Sequence, residues 1–249
     1  MIRIALVGAG GRMGSMLTDA FAAAADTEVT ARVDPHAEGC LAALSDVDPA
    51  TVDVVVDFST TEVARASVAW AVEHECGVVV GTTGFTDEEI DRWREEYAAA
   101  HVVVAANYTL GAVLAERFAA EAAPYFDRVE IIEFHHDRKV DAPSGTALET
   151  ARVIREARAA AGRSAVSEPT TRDTIEGSRG ADSGDNVRVH AVRMPGMTAH
   201  QEIIFGGPGE GLTIRHDAYD RTSFTAGVLL AVRSVRDRPG VTRGLAPLL

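Results

Sequence analysis

The sequence predicts an α/β protein: a Rossmann-like, doubly wound parallel sheet with an inserted α+β domain carrying a mixed or antiparallel sheet. Three observations carry this. In residues 1–108, short β-branched runs alternate with segments of helical period. A cluster of glycines separates the first run from the first helical segment. Beyond residue 110 the pattern changes to longer segments in which apolar and polar residues alternate, before one last apolar helix.

The elements follow in order. "IRIALV" (2–7) is the first strand, and "GAGGRMGSMLTDAFAAAA" follows it with Met13, Leu17 and Phe21 at helical spacing. "EVTARVD" is a strand ending at Asp34. "VDVVVDF" is a continuous run of the kind buried on both faces of a parallel sheet. A helix near 61–75, the strand "GVVVGTT", a helix near 86–99 and the strand "HVVVAAN" complete the first pattern. A helix near 109–123 then leads into "RVEIIEFHH", and another runs from Gly145 to about 160. Residues 161–186 are polar, a length that suggests a functional or mobile loop. "NVRVHAVRM", "AHQEIIFGG" and "GLTIRHDA" alternate between turns, as in an antiparallel meander, and "SFTAGVLLAVRSV" is the closing helix. The expected organisation is a dinucleotide-binding domain over 1–109 plus 220–249, with a substrate domain at 110–219.

Composition excludes some functions. The chain has 249 residues, 46% of them hydrophobic, enough for sizeable cores. Its formal charge of −13 argues against nucleic acid or an anionic membrane as partner, since phosphates demand a basic surface. No run reaches the roughly eighteen apolar residues of a membrane span. The N-terminus reads as a strand entering a glycine turn rather than a signal peptide, so a cytoplasmic location is expected. The only cysteines, Cys40 and Cys76, form no CxxC or Cys/His cluster; free thiols are expected, and no metal site.

"GAGGRMG" places Gly8, Gly10, Gly11 and Gly14 between the first strand and helix, where a tight turn brings helix N–H groups to a pyrophosphate. Gly8, Gly11 and Gly14 fit a G-x-x-G-x-x-G spacing better than G-x-G-x-x-G, because Met13 occupies the third glycine's place. A plain structural turn is the alternative. Asp34, twenty residues beyond Gly14, suits the ribose hydroxyls; a helix cap or turn aspartate before Pro35 is the alternative. Its carboxylate favours NADH, while Arg12 offers a partner for a 2′-phosphate, so NADH is expected to be used at least as well as NADPH, with tolerance of both. "GTTG" (81–84) and "AANY" (105–108) end strands, where open α/β sheets bind ligands; they read as well as ordinary loops.

"EFHHDRKVDAPSGTA" (133–147) gathers the chemistry. On a strand His135 and His136 point to opposite faces, which disfavours joint metal ligation. One histidine suits proton donation near neutrality, while the other and Lys139 meet anionic groups. Ser144 or Asp141 is a candidate cap for the next helix. The N–H groups of Gly145 and Thr146, with the Thr146 hydroxyl, form a carboxylate seat at its start. A solvated strand-end loop with structural histidines is the alternative. A semialdehyde dehydrogenase working through a thioester would need a cysteine in the substrate domain, and both cysteines precede it. A dinucleotide-sensing regulator would need a basic partner segment that the chain lacks.

The same segment closely resembles the E-x-H-H-x-x-K-x-D-A-P-S-G-T-A signature of the 4-hydroxy-tetrahydrodipicolinate (dihydrodipicolinate) reductase family. "VGAGGRMG", "VVDFS", "GTTGF", "AANY", "VHAVRMPG" and "LTIRHDAYDRTSF" extend the resemblance along the chain, and "AHQE…DRTSF" looks most like actinobacterial members. The resemblance implies NAD(P)H-dependent reduction of 4-hydroxy-tetrahydrodipicolinate, via dihydrodipicolinate, to tetrahydrodipicolinate in diaminopimelate and lysine biosynthesis. It implies that His135 is the general acid/base and Lys139 a second proton donor. His136, Gly145 and Thr146 would hold the carboxylates of this cyclic substrate. Gly8, Ala9, Gly10, Gly11, Arg12, Met13, Asp34, Gly81, Thr82, Thr83, Ala105, Ala106, Asn107 and Tyr108 would hold the dinucleotide. Tyr108 stands where phenylalanine is common, and Asp34 replaces glutamate without a following arginine, which leaves the cofactor preference open. The family's homotetramers, joined through the sheet of the inserted domain, imply the same assembly here.

Overall fold

The structure is a computed structural model describing residues 1–163 and 167–249. In chain order its elements are β1 (Ile2–Val7), α1 (Arg12–Ala23), β2 (Thr27–Val33), β3 (Val54–Asp57), α2 (Thr61–Glu73), β4 (Gly77–Val80), α3 (Asp87–Glu96), β5 (His101–Val104), α4 (Leu110–Ala122), β6 (Arg128–His135), α5 (Gly145–Ala160), β7 (Ala181–Asp182), β8 (Arg188–Arg193), β9 (Ala199–Gly207), β10 (Glu210–Ala218), α6 (Thr225–Ser234) and β11 (Gly240–Arg243). The chain divides into two compact units, Met1–Leu110 with Arg221–Leu249, and Gly111–Asp220.

The first unit is the Rossmann-like layer. Its six strands are all parallel in the order β11-β5-β4-β3-β1-β2. β3 and β4 bury every side chain, as β-branched runs covered on both faces must. Val55, Val78 and Val102 pack with Val68 of α2 and Trp93 of α3. Thr60 and Thr86 start α2 and α3 by accepting the Val63 and Glu89 N–H groups. β11 was not expected from the sequence: it pairs beside β5, with Gly240 at φ +84 entering the strand.

The second unit is a mixed sheet in the order β10-β9-β6-β8-β7. The meander expectation is corrected here. β9 and β10 form an antiparallel hairpin and β6 pairs antiparallel with β9, but β8 runs parallel to β6. The α5 crossover and the segment after it provide the length a parallel connection requires. Val129 and Ile131 of β6, Val189 of β8 and Ile203 and Phe205 of β9 face Ala115 and Ala119 of α4 and Ala147, Ala151 and Ile154 of α5. Small helical residues let the helices lie close on the sheet. Positions 164–166 of the expected loop lie outside the described residues; residues 167–180 contain only turns and bends. Arg179 anchors that stretch to Glu130 and Glu168, at 2.6 and 3.0 Å. No described helix is long and apolar enough to cross a membrane.

Candidate active site

In the first unit, the loops after β1 to β5 meet at the carboxyl edge of the sheet. Gly8 N–H donates to the Val33 carbonyl at 2.9 Å, Phe58 N–H to Val7 at 3.1 Å, Gly81 N–H to Asp57 at 2.9 Å, and Ala105 N–H to Val80 at 3.0 Å. The residues expected to hold the dinucleotide therefore share one edge of one sheet. Gly10, Gly11, Arg12, Thr83 and Ala106 are exposed there, while Ala9, Thr82, Ala105 and Tyr108 are buried beneath them. Gly8, Met13, Asp34, Gly81 and Asn107 lie between these extremes.

The glycine turn fits a dinucleotide. Gly8 turns at φ +79, and Gly11 is the N-cap of α1, with no side chain to cap it. A side chain at Gly14 would place its Cβ 2.1 Å from the Gly8 carbonyl oxygen, so only glycine lets α1 start this close to β1. An uncapped helix start with such an approach suits a pyrophosphate. Asp34 sits beside it: one carboxylate oxygen accepts the Gly10 N–H at 3.0 Å, the other the His36 N–H at 2.9 Å. The turn reading of Asp34 is thus realised without removing its carboxylate from the glycine loop. Tyr108 is fully buried, its hydroxyl donating to the Val80 carbonyl at 2.8 Å and its ring 5.6 Å from Phe58. Its added hydroxyl serves the fold and presents no surface to a ligand.

Sequence reasoning missed Asp57, the last residue of β3. It is completely buried and accepts from Ser59 N (3.0 Å), Ser59 Oγ (2.7 Å), Ser67 Oγ (2.6 Å) and Thr82 Oγ1 (2.9 Å). One carboxylate therefore joins the loops after β3 and β4 to α2. A lone acid ending a valine run was the available signal.

In the second unit, period-two alternation puts Glu133 and His135 on the helix-covered face of β6. Glu133 is fully buried and His135 partly so. The His135 Nδ1 lies 2.5 Å from Glu133 Oε2. Arg193 of β8, register partner of His135, grips both Glu133 oxygens at 2.8 Å and donates from Nη2 to the Asp141 carbonyl at 2.8 Å. Ser144 N–H donates to Glu133 Oε1 at 3.1 Å. Burial pushes the Glu133 carboxyl upward, but Arg193 and His135 outweigh it and hold the group below its ordinary range. Burial draws the His135 imidazole below its ordinary value, with Glu133 opposing and Lys139 and Arg193 adding to the effect.

Of the two candidate caps, Ser144 caps α5, its Oγ accepting the Ala147 N–H at 3.3 Å. Gly145 is exposed, with open space where a Cβ would stand, and Thr146 follows it in the first turn. His136 lies just beyond β6, its Nδ1 enclosed without a hydrogen-bond partner. Lys139 is paired within its own loop. Its ammonium donates to both Asp141 oxygens at 2.7 Å, and that contact keeps the Asp141 carboxyl below its usual range. Glu133 was legible only as two residues before His135; Arg193, sixty positions away, was not.

Known proteins agree with this architecture. The family models described as dihydrodipicolinate reductase, N-terminus and C-terminus, match residues 2–108 and 111–249. The chain is 48% identical to the 4-hydroxy-tetrahydrodipicolinate reductase of Mycolicibacterium vanbaalenii over 252 residues, covering 100% of this chain and 99% of that one. It is 45% identical to the Cutibacterium acnes enzyme of the same name, with the same coverage. A dipicolinate-bound dihydrodipicolinate reductase from Paenisporosarcina sp. TG-14 superposes with a TM-score of 0.89 at 35% identity, covering 100% of both chains. An engineered D-amino acid dehydrogenase bound to NADP+, 18% identical with a TM-score of 0.56 over 98% of this chain and 93% of that one, shares the fold. The chain belongs to the dihydrodipicolinate reductase family, the NAD(P)H-dependent oxidoreductases named 4-hydroxy-tetrahydrodipicolinate reductase, of diaminopimelate and lysine biosynthesis.

Proposed function

We propose that residues 1–109 with 220–249 bind the dinucleotide, and that residues 110–219 bind the cyclic dicarboxylate and carry His135 as proton donor. The observation that carries this reading is a shared carboxyl group. Glu133 holds the His135 ring through one oxygen and the backbone leading into α5 through the other, at 2.5 and 3.1 Å. A proton donor and an open helix start are thereby fixed within one small region, the pairing that a substrate with carboxylates beside a reducible ring requires.

On this reading the first turn of α1, with Gly8 to Met13, takes the pyrophosphate; Asp34 meets the ribose, and the 81–83 and 105–108 loops border the reactive ring. Bound NADH or NADPH supplies the hydride. Gly145 and Thr146 meet one substrate carboxylate with backbone N–H groups, supported by His136. Lys139 exchanges Asp141 for a substrate carboxylate and serves as second proton donor. His135 delivers the proton that completes the reduction of the ring to tetrahydrodipicolinate. The outer face of the second sheet supports a homotetramer: Ile132, Phe134 and Val192 are only partly covered and Ile204 is 36% exposed, on the side away from α4 and α5.

The test is NADH or NADPH oxidation followed by absorbance, with substrate generated in place from pyruvate and aspartate semialdehyde. His135→Ala is expected to lower kcat by at least about a hundredfold with a much smaller change in KM. A variant that changes KM alone removes the proton role, and failure to oxidise either cofactor removes the whole reading.

A further inference from the structure

Glu133 is the one wholly buried carboxylate in the second unit among the described residues, yet no step of the reaction consumes it. Four donors occupy its two oxygens: His135 Nδ1 and Arg193 Nη1 on Oε2, Arg193 Nη2 and Ser144 N on Oε1. Removing a carboxylate from water is costly unless it is paired and hydrogen-bonded, and Arg193 with Ser144 would already achieve that. The imidazole is an additional partner, placed on the same strand face at a spacing of two residues.

We propose that Glu133 is the positioning residue for His135: its carboxylate keeps Nδ1 protonated and turns Nε2 toward the substrate as the atom that delivers the proton, while Arg193 moderates its hold. This rests on the reading of His135 as proton donor. The argument is one of donor and acceptor capacity. An ionised carboxylate only accepts hydrogen bonds, so the ring nitrogen beside it carries hydrogen in both the neutral and the charged imidazole. Nε2 is then the position at which a proton is gained or lost. Because Ser144 shares the same carboxyl group, the ring is also held in register with the start of α5.

The charged groups facing His135 define the expected response to pH. Glu133 lies on its own strand, Arg193 on β8 and Lys139 in the following loop, the last already paired with Asp141. β9 contributes Ala199 opposite His135, and the start of α5 contributes Ser144; neither titrates. Glu133 raises the affinity of His135 for its proton, whereas Arg193 and Lys139 lower it. Removing Glu133's charge and removing Arg193's charge must therefore act in opposite directions.

Two measurements test this. In the wild-type chain, long-range ¹H–¹⁵N correlation of the His135 ring, assigned by its loss in His135→Asn, is expected to show the Nδ1–H tautomer above the titration. An Nε2–H tautomer overturns the proposal without any variant of Glu133. The His135 titration and the pH profile of kcat are then followed in Glu133→Gln and Arg193→Gln. The expected displacements are roughly one unit downward and one unit upward respectively, with the alkaline fall of kcat moving likewise. Movement in the same direction, or none, leaves Glu133 as a structural tie only and overturns the proposal. If Glu133→Gln does not fold, the upward shift in Arg193→Gln and the wild-type tautomer still decide it. Opposite titration shifts that kcat ignores would retain the Glu133–His135 pairing but overturn the proton-donor reading on which it rests.

Discussion

Gly14→Ala tests whether the start of α1 is a built dinucleotide seat or an ordinary turn. The new Cβ would lie 2.1 Å from the Gly8 carbonyl oxygen, 2.6 Å from Ala9 Cα and 2.8 Å from Ala9 C, all of them backbone atoms that no rotamer change can move. Ordinary contact begins at 3.4 Å, so α1 must retreat from the end of β1 by roughly 1.3 Å. Overpacking of this kind costs about 1–3 kcal/mol, and backbone on both sides places this site at the upper end. For a chain of this size that lowers the melting temperature by roughly 6–12 °C. The same retreat carries the first-turn N–H groups away from the pyrophosphate, and losing about 1.4 kcal/mol of that contact weakens NADH binding about tenfold. Gly11→Ala is the control for the stability measurement, because its Cβ would meet only the Gly8 oxygen, at 3.2 Å, and it should lose under about 1 kcal/mol. Thermal unfolding and NADH fluorescence titration measure both quantities. A Gly14→Ala protein melting within about 2 °C of wild type and binding NADH equally well would refute the reasoning.

Asp57→Ala should cost about 3–4 kcal/mol, because it strands the Ser67 and Thr82 hydroxyls, which are 1% and 8% exposed, together with the Ser59 donors. Asp57→Asn, which keeps an oxygen where Oδ1 accepts three of the four hydrogen bonds, should cost less, about 1–2 kcal/mol, and urea unfolding of both variants separates the two. Glu116 on α4 behaves oppositely. Burial, with Glu149 nearby and Arg152 opposing, pushes its carboxyl up to about 7. A carboxyl raised in the folded state favours folding while protonated and opposes it once ionised, so its burden grows as pH rises from about 4.5 through about 7. Glu116→Gln should therefore match wild type below about pH 4.5 and exceed it by about 1–2 kcal/mol above pH 7, allowing for partial exposure. Equal stabilities across a pH series of urea melts would exclude this.

What the sequence made legible was local. The buried strands β3, β4 and β5 announced themselves because four valine-rich residues bounded by turns have few other uses, and the glycine turn because close backbone approach excludes side chains. β11 was hidden because "GVTR" opens on a glycine and has no apolar run; it is a strand only because β5 offers its open edge. β8 was read as a strand but given the wrong partner. Alternation marks the faces of a strand and says nothing of its neighbours, whereas the long helical connection between β6 and β8 was the sign of a parallel crossover. The candidate site segment was legible for the same local reason: His135, Ser144, Gly145 and Thr146 fall within a dozen residues. Arg193 reaches Glu133 through β-sheet register, which a linear reading does not contain.

That non-local pairing changes how an acidic chain can attract an anionic substrate. Residues 133–147 offer Lys139 to an anion and β8 adds Arg193, but Arg193 is committed to Glu133 and Lys139 to Asp141 before any ligand arrives. What remains is Arg138, which is exposed, and the start of α5, where nothing stands within 4 Å of a Cβ built on Gly145 and a helix N-terminus favours an anion. The two ion pairs differ in what a ligand can do to them. Glu133 is wholly buried and cannot leave, whereas the Asp141 side chain is 56% exposed against 21% for Lys139. A substrate carboxylate that takes Asp141's place on Lys139 releases that aspartate into water, where an exposed pair had stabilised the fold by little. On the proposed reading, Lys139 is thus kept neutralised and oriented until a carboxylate exchanges onto it, so binding adds no unpaired charge to the pocket and leaves the Arg193–Glu133–His135 arrangement undisturbed.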